Sequence, residues 1–61
     1  MKVGEIWQGK TSGREVKIVS INWRRGDDDM INYEWIDKQS RKRSDCLWRK
    51  CFIKDFQRIK E

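Results

Sequence analysis

The chain has no histidine and no proline, only two cysteines and four glycines, and no long apolar run in its 61 residues. Without His, acid–base or nucleophilic chemistry would fall to a carboxylate, Lys, Tyr or Cys in a desolvated pocket, which a domain of this size rarely encloses. No phosphate-cradling glycine loop or nucleophile elbow compensates, because Gly9 and Gly13 flank a turn with no strand-to-helix context. These absences point to a binding protein that is not an enzyme and carries no cofactor.

A structural zinc site needs four ligands of Cys or His type, so two Cys and no His leave no metal site. Cys46 and Cys51 lie too close together to frame a disulfide scaffold and are expected as reduced, largely buried thiols. Asp27-Asp28-Asp29 lacks the Gly and distal Glu of a calcium loop and reads as turn chemistry. Nothing approaches the roughly 20 apolar residues of a membrane span. MKVGEIWQGK also lacks the apolar core and cleavage site of a secretory signal, so a soluble cytoplasmic protein is expected.

The residues that are present are large and charged. Four Trp, two Phe and one Tyr stand among many Ile and Val. Each buried aromatic removes on the order of 150–250 Å² from water, enough for half a dozen to hold one small core. The expectation is a single folded domain over residues 1–61, near the lower size limit for a fold without disulfides or metal.

Val3 to Gln8 reads as a short strand, closed by the turn residues Gly9-Lys10-Thr11-Ser12-Gly13. REVKIVSINW, Arg14 to Trp23, is the most β-prone stretch, and its apolar phase changes between Ile18 and Val19. Such a switch is expected where a strand bends between two sides of a small barrel, often at a bulge. Arg24 to Asp29 predicts a polar hairpin tip, and MINYEWI, with Ile31, Tyr33 and Trp35 alternating, predicts the returning strand. Asp37 to Arg43 reads as a second exposed turn.

Trp48, Phe52 and Phe56 are spaced i, i+4, i+8, as on one helix face. Two arrangements compete for this end: one helix from Ser44 to Lys60, or a strand through Leu47, a helical turn or two, and a last strand from Gln57 to Lys60. The second is preferred, since a closing strand gives the N-terminal strand a partner. The fold expected is therefore mainly β, a small five-stranded SH3-like barrel with a short helical turn before the last strand.

VGEIWQ, GREVKIVSI, INYEWI and LWRKCFIKDFQRIK together resemble small phage- and prophage-encoded proteins of enteric bacteria. Their usual pattern is G-x-I-[WY], G-R-x-V-x-I and a terminal F-[IL]-K-x-F-x-[RK]-[IV]. The resemblance covers most of the chain and implies a shared fold in a bacterial host cell, but it transfers no catalytic or binding residue. Asp27-Asp28-Asp29 and Arg41-Lys42-Arg43 lie outside the shared pattern.

Charge is the main functional clue. Residues 1–37 hold six cations and seven anions, whereas residues 38–61 hold nine cations and three anions. Lys38, Arg41, Lys42 and Arg43 fall on one predicted loop, with Arg49, Lys50, Lys54 and Arg58 following. A shared surface of such cations contacts several phosphates, the main source of non-specific nucleic-acid affinity. The leading expectation is nucleic-acid binding, DNA before RNA. Lys38, Arg41, Lys42, Arg43, Arg49 and Lys50 would take phosphates, and Trp23, Tyr33 or Trp35 would contact bases. Trp7 is a further aromatic candidate.

The rival is a protein-interaction module acting as a host-directed effector or inhibitor, since Trp, Tyr and Arg are enriched at binding hot spots. A homodimer formed through the final strands or helices is compatible with either. Aromatics interleaved with Arg and Lys would favour nucleic acid; an aromatic cluster remote from the cations would favour a protein partner. A solvated, merely solubilising surface is the bland alternative for the basic run.

Overall fold

In the computed structural model, residues 1–23 and 29–60 are described, apart from the side chains of Trp23 and Lys60. Of the expected hairpin tip Arg24 to Asp29, residues 24–28 lie outside the described residues, as does the Trp23 side chain, and Asp29 is the first residue of a strand. Five strands, β1 (Ile6–Gly9), β2 (Glu15–Trp23), β3 (Asp29–Ile36), β4 (Lys42–Trp48) and β5 (Phe56–Lys60), form one sheet. Their order is β4-β3-β2-β1-β5, and every neighbouring pair is antiparallel. One helix, α1 (Arg49–Asp55), precedes the last strand. Among the described residues no helix is long and apolar enough to cross a membrane.

The alternation in REVKIVSINW and MINYEWI builds the central pair. Ile18 lies opposite Tyr33 and Ile21 opposite Ile31, so three steps on β2 match two on β3. The register shifts between Ile18 and Ser20. Val19, the residue at the change of apolar phase, is the extra one, and it is exposed. The bulge keeps both Ile18 and Ile21 on the core side, where an unbroken strand would turn Ile21 outward.

β1 is shorter than VGEIWQ suggests. Gly4 has φ +96 and sits in a turn, with Glu5 N–H donating to the Lys2 carbonyl at 3.3 Å, so the strand begins at Ile6, while Gly4 N–H and the Glu5 carbonyl still bond to Ile18 at 2.8 and 3.1 Å. β1 then binds β2 on one side and β5 on the other, so the final strand is the partner of the N-terminal one, in a sheet that runs open from β4 to β5.

The core is Val16, Ile18, Ile31, Tyr33 and Phe52, rimmed by Trp7, Ile21, Trp35, Leu47 and Phe56. Phe52 comes from α1 and has no exposed surface. Its ring stacks on Phe56 at 4.6 Å between centroids and lies 5.2 Å from Trp7 and 5.3 Å from Tyr33. The i, i+4, i+8 aromatics do not share a helix face: Trp48 ends β4 and is exposed, and Phe56 opens β5. A helix of 7 residues without a side-chain N-cap is marginal by itself, so burial of Phe52 is what fixes it.

Two further expectations are corrected. Both cysteines are exposed. Cys46 lies opposite Asn32, on the side of the sheet away from Tyr33, and Cys51 adjoins Phe52 on α1 but off its buried side. The basic run is also not one loop, because Lys42 and Arg43 begin β4.

Replacing Phe52 with Ala is expected to cost about 3–5 kcal/mol, comparable to the whole stability of a domain this small, whereas Phe52→Leu retains most of it. Urea denaturation followed by circular dichroism measures both. An unchanged midpoint for the Ala variant would mean that the core does not depend on this ring.

Candidate nucleic-acid interface

The residues expected to bind phosphates divide between the two ends of β4. Strand alternation sends Arg43 to the side of Trp35, its partner in register, and Lys42 to the opposite side with Ile36. Lys42 Nζ pairs with Glu34 Oε2 at 3.0 Å, and Arg43 Nε donates to Asp37 Oδ2 at 3.0 Å. Lys38 and Arg41 are exposed on the Asp37–Arg41 turn. Arg49 and Lys50 open α1 at the far end of β4, on the order of 20 Å from Arg43 at about 3.3 Å per strand residue.

Asp37 organises the first of these ends. Its carboxylate accepts the backbone N–H groups of Gln39 and Arg41, each at 2.9 Å, as well as Arg43 Nε. The Arg41 N–H, and then the Arg43 side chain, hold its pKa below the usual value. Its negative charge is therefore largely spent inside the turn. Ser40 takes the left-handed conformation, φ 60, that closes this turn.

Around Arg49 and Lys50 the surface is a groove lined by Met1, Trp7, Arg49, Lys50, Ile53 and Arg58. Three cations surround an indole and an isoleucine there, and Ile53 is about half exposed. Arg49 Nη1 lies 3.6 Å from Asp29 Oδ2, across from the start of β3. This neighbouring carboxylate tempers but does not fill the groove, since exposed pairs of this kind are weak.

Trp7 and Arg58 are set in place by a residue that no motif singles out. Glu5 is 4% exposed, and its carboxylate accepts the Lys2 N–H at 3.0 Å, the Trp7 indole N–H at 3.1 Å and Arg58 Nη1 at 3.2 Å. The Lys2 N–H is the main influence holding its pKa below the usual value; desolvation opposes this, and Trp7 and Arg58 add to it. A buried carboxylate with three donors is a satisfied ion, so it fixes its partners in orientation. The sequence signal for it is weak, because Trp7 is two residues away and Arg58 is 53 away.

The aromatic candidates also divide. Tyr33 is 6% exposed and belongs to the core, and burial, with Asp45 nearby, raises its phenol pKa. It is not placed to meet a base. Trp35 is half-buried and carries the Arg14 guanidinium over its ring, 4.9 Å from the centroid. Trp7, half-buried and a further aromatic candidate in the sequence, and Arg58, the last of the cations that follow the basic run, are brought together by the fold in the groove. Among the described residues no group of three or more His, Cys, Asp or Glu side chains is placed to hold a metal ion.

Glu5 makes stability depend on acid. Its folded pKa is lowered, so its contribution is present above the ordinary value of 4.5 and is lost as the pH falls below that toward the depressed one. Thermal melts followed by circular dichroism are expected to show Glu5→Gln melting lower than the parent at neutral pH. The two chains should converge in acid, once the pH falls below the depressed pKa and the parent carboxylate is itself protonated. Parallel curves at all pH values would remove Glu5 from the acid response.

Set beside known proteins, the chain matches no family model, no curated protein and no solved structure to a significant degree, so the groove and the turn are interpreted from their own chemistry.

Proposed function

We propose that this chain is a small SH3-like barrel protein of the phage accessory type whose function is to bind nucleic acid, DNA in preference to RNA. The strand order β4-β3-β2-β1-β5, the bulge in β2 and the helix before the last strand support the barrel reading. The single observation that carries the nucleic-acid reading is the groove in which Arg49, Lys50 and Arg58 surround Trp7 and Ile53. Cations supply affinity for phosphates, and an indole locked among them offers a surface for an unpaired base. Trp35 is likewise flanked by Arg14 and Arg43. The aromatics are thus interleaved with cations, the arrangement that favours nucleic acid over a protein partner. The absence of His, and so of the commonest acid–base group, supports a binding role over catalysis.

Fluorescence anisotropy of labelled single- and double-stranded DNA and RNA tests this at about 50 and 200 mM salt. Binding is expected to weaken steeply with salt. The double variant Arg49→Ala with Lys50→Ala should lower the slope of log affinity against log salt by about two, one for each phosphate no longer neutralised. No binding at low salt would sink the proposal and turn attention to a protein partner, sought by pull-down from host lysate.

A further inference from the structure

The Arg49–Arg58 groove combines cations with an apolar lining. Trp7, Ile53 and Met1 line it together with Arg49, Lys50 and Arg58. Ile53 and Met1 are exposed, and Trp7 is half-buried. We propose that the groove selects single-stranded over double-stranded nucleic acid, by taking an unpaired base against Trp7 and Ile53 while the cations hold the phosphates beside it. The selection rests on the nucleic-acid reading and adds to it the class of strand accepted and the residues that choose it.

Three observations carry it. First, cations alone do not separate the two forms, because a duplex and a single strand both present phosphates. The apolar residues do separate them. In a duplex the bases are paired and stacked on one another, so Trp7, Ile53 and Met1 would stay wet beneath it. An unpaired base is free to turn into the groove and cover them.

Second, the indole is fixed before any strand arrives. Its N–H donates to Glu5 Oε1 at 3.1 Å, and Phe52 meets it at 5.2 Å between centroids with the ring planes 64° apart. That contact is edge-on, and among the described residues no ring is stacked parallel to the indole. With its one donor already used, Trp7 has only ring surface to give a base. A ring held in advance reduces the ordering cost of binding.

Third, the cations come from two elements, Arg49 and Lys50 from α1 and Arg58 from β5. Glu5 holds Arg58 as well as the indole, with Arg58 Nη1 at 3.2 Å from Oε2, so this guanidinium and the ring keep a set spacing. Asp29, 3.6 Å from Arg49, is the acid that opposes phosphate. It weakens both forms alike and does not decide between them.

Competition against a labelled oligothymidylate on the intact chain, read by fluorescence anisotropy, tests the proposal. The competitors are unlabelled oligothymidylate, a matched duplex, and a strand of the same length built of abasic sites. Oligothymidylate is expected to compete at least about tenfold better than the duplex, the order of one stacked base. The abasic strand should lose the same factor while its salt slope stays unchanged, since its phosphates are the same. Trp7→Leu, which keeps an apolar side chain against Phe52, should lose the preference for the single strand, with circular dichroism checking that it folds. Arg49→Ala with Lys50→Ala should weaken both forms and leave their ratio within about twofold.

Duplex that competes as well as oligothymidylate would overturn the selection and leave the nucleic-acid reading in place. So would an abasic strand that competes as well as the one with bases, a comparison that needs no change to the protein. Absence of binding by either form at low salt overturns both.

Discussion

One aromatic contact holds the molecule together: Phe52, carried by a helix too short to persist alone, inserted among Trp7, Tyr33 and Phe56. The sheet offers an apolar side that water would otherwise cover, and the helix offers one ring that fills it. Neither is stable without the other. The same contact determines where the helix's outward residues stand. With Phe52 inside, Arg49, Lys50 and Ile53 border the surface beside Trp7, so the basic groove is a geometric consequence of how the core is closed.

Glu5 adds a second constraint of opposite chemistry. A buried carboxylate is costly unless donors surround it, and here they come from the N-terminal turn, from β1 and from β5. It ties together the two strands that lie farthest apart in sequence. The indole of Trp7 is consequently held from two sides, by Phe52 against its face or edge and by Glu5 at its nitrogen. A ring so fixed loses little freedom when something is laid against it.

Much of this architecture is legible in the residues. Period-two alternation marks β2 and β3, and the phase change at Val19 locates the bulge, because a one-residue slip must move every later side chain to the other face. The need of the N-terminal strand for a partner is enough to prefer a closing strand over one long helix. What stays hidden is set by tertiary pairing. Lys42-Arg43-Ser44-Asp45 has no apolar rhythm and looks like loop; it is a strand because β3 supplies its hydrogen bonds. Read as loop, Lys42 and Arg43 merge into one patch, which the pleat of the strand divides. The exposure of Cys46 and Cys51 is hidden for the same reason, since which side a residue faces is decided by register and by Phe52, not by the preferences of cysteine. Glu5 and Arg58 can be joined only in three dimensions.

The polar character that disguises β4 has a meaning at the rim of the sheet. β4 is an outermost strand in the order β4-β3-β2-β1-β5, and six of its seven residues are exposed. A bare strand with a row of unpaired peptide groups is a template on which another chain can add. Here Arg43 and Asp45 lie on one side of that strand and Lys42 on the other. A newcomer would have to bring its own layers over charge on both sides. The residues least suited to announcing a strand are thus well suited to ending a sheet, and they discourage this aromatic-rich chain from propagating into fibrous aggregates.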